Sequence, residues 1–208
     1  MKILIVGVQR TGTGSLSNSF KKHGYKLLGE PFNELNGPKK YPLIELKQQK
    51  NIVVKTIVSQ IPKEYSNDNW EEFILEFIKE FDKIIWLDRK DTEDHFLSKC
   101  HLIWRTIYKS NPHGWLQRYH ISDIPIDFIQ NYEHIGGKHQ LIQHKEMLNN
   151  VVTKFNFNIT WYEDLYGEDR NKSLEIIKSW NIPNLNYDEL NKQLHPSNRL
   201  RQKEKVFI

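Results

Sequence analysis

The chain reads as an α/β protein of three layers, with a central parallel sheet flanked by helices. Three observations point that way. Lys2 to Val6, Asn51 to Val58 and Lys83 to Leu87 are continuous β-branched or apolar runs, as in strands buried on both faces. Between these runs lie stretches with apolar residues at helical spacing, and strands separated by helices pair in parallel through right-handed crossovers. The first run breaks into Gly7-Val8-Gln9-Arg10-Thr11-Gly12-Thr13-Gly14-Ser15, which opens a helical pattern. With 208 residues and 38% apolar content, the chain suffices for a real core. No linker divides it, so residues 1–208 are expected to form one domain.

The elements follow in order. Ser15 to Lys22 predicts a helix stopped by Gly24, since glycine ends helices readily. Tyr25 to Leu28 fits a short strand, followed by Gly29-Glu30-Pro31-Phe32-Asn33. Tyr41 to Lys50 carries a weak helical pattern. Trp70, Phe73, Ile74, Phe77, Ile78 and Phe81 form a helical stripe, with Asp68 or Asn69 as its cap. Thr92 to Tyr108 predicts a long helix. Lys109 to Asp127, with two prolines and a glycine, predicts a surface excursion. Phe128 to Val152 is helical, broken near Gly136-Gly137. Phe155 to Trp161 alternates as a strand, Ser173 to Trp180 is helical, and the tail from Asn184 turns basic near its end.

Bulk chemistry narrows the partners. Charged residues make up 27% and the formal net charge is only +4, too mild and dispersed for a nucleic-acid binder. It suits an anionic small ligand in a locally positive cleft. The single cysteine, Cys100, allows no internal disulfide and reads as a small buried residue. The nine histidines are scattered, and no Cys/His spacing suits zinc. The N-terminal apolar run is too short for a signal-peptide core and nothing approaches a membrane span. A soluble, cytoplasmic protein is expected.

The opening turn has the form of a phosphate-holding loop, so the α/β fold is expected to be of the P-loop type. Helix N-termini offer free N–H groups and a dipole to an anion, and glycines 12 and 14 let the backbone approach phosphate oxygens. Thr13 and Ser15 add hydroxyls. Against the nucleotide-hydrolase pattern Gly-x4-Gly-Lys-Ser/Thr, Gly7 and Gly12 fit, but the next two residues are Thr13 and Gly14. The side chains for γ-phosphate and Mg²⁺ are thus absent in that register.

In Arg10-Thr11-Gly12-Thr13-Gly14-Ser15 the chain resembles the sulfotransferases that use 3′-phosphoadenosine 5′-phosphosulfate (PAPS). In that family this loop binds the 5′-phosphosulfate. Many bacterial and Golgi-type members carry Arg at the position of Arg10, where cytosolic members carry Lys. Gly14 departs from the pattern, lacking the usual hydroxyl, which Ser15 can supply. The resemblance continues at Leu87-Asp88-Arg89-Lys90-Asp91 and Ser98, the Arg and Ser that bind the 3′-phosphate. Arg89 and Ser98 are nine apart, one more than usual in cytosolic members; Asp91 to Ser98 is seven, as in some bacterial carbohydrate sulfotransferases. A third match is Thr160-Trp161-Tyr162-Glu163-Asp164-Leu165, with Trp180-Asn181-Ile182-Pro183 beyond it. It implies that Tyr162 lies near adenine. The resemblance runs from Ile3 to Pro183. It implies a co-substrate, PAPS, released as PAP with no metal required, and a small-molecule or glycan acceptor, with no nucleic-acid or membrane partner.

The same resemblance suggests the chemistry. Arg10 would stabilise charge on the departing phosphate oxygen, with Lys55 as a second cation. Family members often have Lys-Thr-His on that strand; here it is Lys55-Thr56-Ile57, so the histidine base is missing. Glu30, in Gly29-Glu30-Pro31-Phe32, takes its place, as a Glu often does in carbohydrate sulfotransferases. Glu34 and then His101 are fallbacks. Arg201, in the basic Asn198-to-Lys203 segment, would cover the 3′-phosphate. Trp115, Tyr119 and His120 would line the acceptor pocket. Two other readings stand beside this one: a P-loop nucleotide or nucleoside kinase with an aberrant loop, and a catalytically silent nucleotide-binding protein.

Overall fold

A computed structural model describes residues 1–32, 48–60, 70–108 and 124–194, with backbone alone for Trp70, Arg105 and Tyr108. Five strands form one parallel sheet: β1 Lys2–Gly7, β2 Lys26–Leu27, β3 Ile52–Ile57, β4 Lys83–Asp88 and β5 Ile159–Trp161. Their spatial order is β2-β3-β1-β4-β5. In register, Val6 lies beside Thr56 on one flank and Trp86 on the other. The expected α/β fold, a central parallel sheet flanked by helices, is what the chain adopts.

The helices among the described residues are α1 Thr13–Lys22, α2 Trp70–Ile78, α3 Thr92–Tyr108, α4 Ile126–His134, α5 Gly137–Lys154, α6 Tyr162–Tyr166, α7 Arg170–Ser179 and α8 Tyr187–Leu194. Alternation along the strands sorts them into two outer layers. Leu4, Val6, Val54 and Trp86 face α2 to α5, contacting Ile74, Phe77, Phe96, Leu141 and Leu148. Ile3, Ile5, Val53 and Ile85 face α1 and α6 to α8, contacting Leu16, Phe20, Leu165, Ile177 and Leu190. Each such fully buried side chain is worth roughly 1.5–3 kcal/mol. Cys100 is fully buried in the first of these cores.

The crossover out of β1 therefore runs over one face, while those out of β3 and β4 run over the other. Ligands bind in the crevice where such connections diverge, beyond the carboxyl ends of the strands. Here that is the end of β1, with β3 and β4 on either side.

Several boundaries differ from expectation. The first helix begins two residues early, at Thr13, and α7 begins at Arg170, where the Asp169 carboxylate accepts from the Lys172 N–H and caps it. Residues 155–158 do not join the sheet. The chain wraps the end of α5, with Asn156 at φ 53° and the Phe157 N–H donating to the Val152 carbonyl. Phe157 stacks on Trp86 at 5.3 Å, so the alternation reflects packing rather than strand pairing. Helix α8 was not expected; it buries Leu190, Asn191 and Leu194 against the α1 layer. The weak helix expected from Tyr41 lies outside the described residues up to position 47, as do the Asp68/Asn69 cap and 109–123 of the surface excursion.

No helix among the described residues is long and apolar enough to cross a membrane.

Candidate functional site

The loop between β1 and α1 is held in a specific shape. Arg10 takes φ 75° and Gly12 φ 87°, two left-handed residues flanking Thr11. Only glycine adopts that region without cost, so Arg10 needs its neighbours to keep it there. The Thr11 hydroxyl donates to the Val8 carbonyl at 2.8 Å, and Thr11 is fully buried, so this residue shapes the loop from inside. Gly7 allows the turn to close: a Cβ there would sit 2.6 Å from the Thr11 hydroxyl oxygen and 2.8 Å from the Thr13 methyl. Gly12 lies against Tyr166, whose Cε2 is 2.5 Å from where a Gly12 Cβ would be, and the Gly12 carbonyl accepts from the Tyr166 hydroxyl at 2.7 Å. Gly12 caps α1 without a side-chain hydrogen bond, and the first turn holds no acidic residue. Ser15 in that turn is exposed.

On the β4 side, three of the expected phosphate ligands meet. Arg10 Nε donates to Ser98 Oγ at 3.1 Å. Arg89 Nε donates to the Arg10 carbonyl at 3.0 Å, and its guanidinium carbon lies 3.9 Å from the centroid of the Tyr162 ring. Residues remote in sequence are thus knitted together. Glu163 Oε2 accepts from the Lys90 N–H at 3.0 Å, and Asp164 pairs with both Lys90 and Lys172. The Tyr-Glu-Asp-Leu stretch is itself a helical turn, and its acids lock the β4–α3 loop. Those two lysines hold the Asp164 carboxyl below the ordinary carboxylate range, against the opposing effect of burial.

On the β3 side, Lys55 and Glu30 meet. Their charged atoms are 2.5 Å apart, and Gln60 Nε2 donates to the other Glu30 oxygen at 2.7 Å. Ladder bonds continue past β2: the Leu28 N–H donates to the Val53 carbonyl and the Lys55 N–H to the Gly29 carbonyl. Phe32 then packs on Phe73 and Phe77 at 5.1 Å each. Glu30 is fixed between these anchors. The Lys55 ammonium reaches the first turn of α1, 3.6 Å from where a Gly14 Cβ would lie.

Sequence reasoning missed the layer behind these groups. His95 and Asp88 are fully buried. His95 Nε2 lies 2.5 Å from the Gln9 carbonyl, and Nδ1 lies 3.9 Å from Asp88 Oδ1. Burial, aided by the charges of Lys145, Arg89 and Lys99, pushes the imidazole down to about 3, against a favourable bond from Gln9. The ring is therefore neutral and donates from Nε2. Burial likewise raises the Asp88 carboxyl, with Lys145 opposing it. His95 precedes Ser98 by three residues on α3, and Tyr166 follows Tyr162 by four, spacings that put each pair on one helical face. Gln60 and Lys145 carry no such signal.

Glu34, Trp115, Tyr119, His120 and Arg201 lie outside the described residues. His101 is buried on α3. Two concavities of about 480 and 310 Å³ contain none of the site residues; one lies along α2 beside Phe155, the other at the amino end of β4. Among the described residues, no group of three or more His, Cys, Asp or Glu side chains is gathered to hold a metal ion. The chain matches no protein-family model and no curated protein.

Proposed function

We propose that the protein transfers a sulfuryl group from PAPS to a hydroxyl or amine acceptor, a carbohydrate by preference, and releases PAP. The observation that carries this reading is the arrangement of charge around one loop. Arg10, Arg89 and Ser98 are bonded together on its β4 side, while the Lys55–Glu30 pair stands on its β3 side. Such a cleft suits a donor anionic at two ends. The first turn of α1 would take the 5′-phosphosulfate, and Arg89 with Ser98 the 3′-phosphate, with Tyr162 beside the adenine.

The chemistry follows. The acceptor hydroxyl gives its proton to Glu30 as its oxygen bonds to sulfur. The bond from sulfur to the bridging oxygen breaks, and the electron pair leaves on the 5′-phosphate. Negative charge grows on that oxygen, where Lys55 and Arg10 stabilise it. At an effective dielectric of 20, unit charges about 4 Å apart interact by roughly 4 kcal/mol before desolvation. Arg10 stays protonated throughout, so its part is electrostatic. Gln60 keeps the Glu30 carboxylate in place while Lys55 turns toward the leaving group. The acceptor pocket is assigned to the Lys109-to-Asp127 excursion on its aromatic residues, and Arg201 to the cover of the 3′-phosphate. A reducing compartment, the cytoplasm, fits a chain whose one cysteine is free and buried.

Calorimetry in a chelator should show PAP binding, and labelled PAPS should pass its sulfur to a sugar hydroxyl. Arg10→Ala should slow turnover by roughly a hundredfold or more. Binding of PAP with no transfer to any acceptor would point to a silent nucleotide-binding protein. Turnover that requires ATP and Mg²⁺ would point to a kinase.

A further inference from the structure

We propose that Lys145, on α5, is a positioning residue whose ammonium sets the Arg89 guanidinium in the orientation that receives a phosphate. The identity of that phosphate, the 3′ group of the donor, rests on the reading above; the positioning itself does not.

The Asp88 carboxylate is fully buried. Its Oδ1 accepts from the Arg89 N–H at 2.8 Å and from Lys145 Nζ at 3.2 Å, and Oδ2 lies 3.1 Å from the same Nζ. Lys145 also donates to the Arg89 carbonyl. A structural ion pair would need only the Asp88 contact. Here the pair grips both backbone polar groups of Arg89, its N–H and its C=O, and so fixes the direction in which the side chain leaves the backbone.

That direction matters because Arg89 is bonded at Nε. It donates to the Arg10 carbonyl and lies on the Tyr162 ring. A guanidinium held at Nε presents its terminal nitrogens in a fixed plane, the geometry that phosphate recognition uses. Arg10 in turn is a left-handed residue. Its carbonyl is held by Arg89, its side chain by Ser98, and the preceding Gln9 carbonyl by His95. The chain of contacts runs from Lys145 through Asp88 and the Arg89 backbone to the Arg89 side chain and the Arg10 carbonyl. Lys145 thus joins a helix on one face of the sheet to both arginines of the cleft.

The test uses the full-length chain and three variants: Lys145→Arg, Lys145→Met, and the double variant Asp88→Asn/Lys145→Met. Lys145→Met alone strands a buried carboxylate and can unfold the chain. The double variant removes the charge with its partner and keeps an acceptor for the Arg89 N–H. The first readout needs no ligand. Hydrogen exchange of the Arg89 Nε–H, assigned by NMR with Arg89→Lys, should be slow in the parent and in Lys145→Arg, and fast in the double variant. The second is the affinity for PAP relative to adenosine 5′-phosphosulfate. That preference should fall about tenfold in the double variant, the loss expected when a charge-assisted hydrogen bond slackens, and return in Lys145→Arg. A folded double variant with parental exchange and parental preference overturns the proposal. If the exchange result holds while the parent binds no PAP, the positioning role stands and the donor reading falls.

Discussion

Two glycines two residues apart, Gly12 at the end of the loop and Gly14 in the first turn of α1, should respond oppositely to the same substitution. At Gly12 the backbone has φ 87°, and an added Cβ would lie 2.5 Å from Tyr166 Cε2 and 2.9 Å from Cζ. The left-handed conformation costs an alanine roughly 1–2 kcal/mol. Forcing a methyl into a filled site adds about 1–3 kcal/mol, because Tyr166 is 4% exposed and packed among Leu16, Leu165 and Ile177. If the ring yields, its hydrogen bond to the Gly12 carbonyl is lost as well, about 1 kcal/mol. Gly12→Ala should therefore destabilise by about 2–6 kcal/mol. At Gly14 the nearest atom to a new Cβ is Lys55 Nζ at 3.6 Å, an ordinary contact inside a helix. Gly14→Ala should be neutral or stabilising by up to about 1 kcal/mol. Denaturant unfolding of both variants, with Tyr166→Phe as the control for the hydrogen bond, measures the difference. Equal stability of the two variants would refute the packing of Tyr166 against the loop.

Other outcomes follow from the same geometry. Arg89→Ala should weaken PAP far more than adenosine 5′-phosphosulfate; equal losses in calorimetry would remove Arg89 from the 3′-phosphate. Glu30→Gln should abolish transfer while PAP affinity stays near its parent value, since the amide keeps an acceptor for Gln60 but cannot take a proton; surviving turnover would move the base elsewhere. His95 should make the fold acid-sensitive. Its folded value, about 3, lies below the ordinary 6.5, so below pH 6.5 the unfolded chain takes up a proton that the folded chain refuses, and stability falls as pH drops toward 3. Against His95→Gln, which keeps Asp88 unchanged, the stability gap should narrow over that window; a constant gap contradicts a neutral buried imidazole.

The sheet was legible because its central strands are buried on both faces and so read as continuous apolar runs; Thr92–Tyr108 was legible to the residue. Residues 155–158 misled because alternating phenylalanines suit a strand and a packed wrap equally well. Helix α8 escaped notice because its apolar residues are sparse among Asp188, Glu189, Lys192 and Gln193. In the site, the loop motif pointed to Arg10 and the motif after β4 to Ser98, which are bonded, and the strand ends to Glu30 and Lys55, which are paired. The supporting groups were hidden for a physical reason. Asp88, His95 and Lys145 act through partners far off in sequence, and a lysine in the middle of a helix looks solvent-facing until β4 is brought beneath it. Tyr166 shows the same limit: a late aromatic reads as core, and only the folded chain puts its hydroxyl on Gly12.

The proposed function requires one anion-binding loop serving a donor held at both charged ends without a divalent ion. A crystal structure of the PAP complex, grown in the presence of a chelator, tests this most directly. The 5′-phosphate should lie on the N–H groups of residues 12–15 with Lys55 beside it, and the 3′-phosphate on Arg89 and Ser98. A loop carrying no phosphate, or PAP bound elsewhere on the molecule, would contradict it.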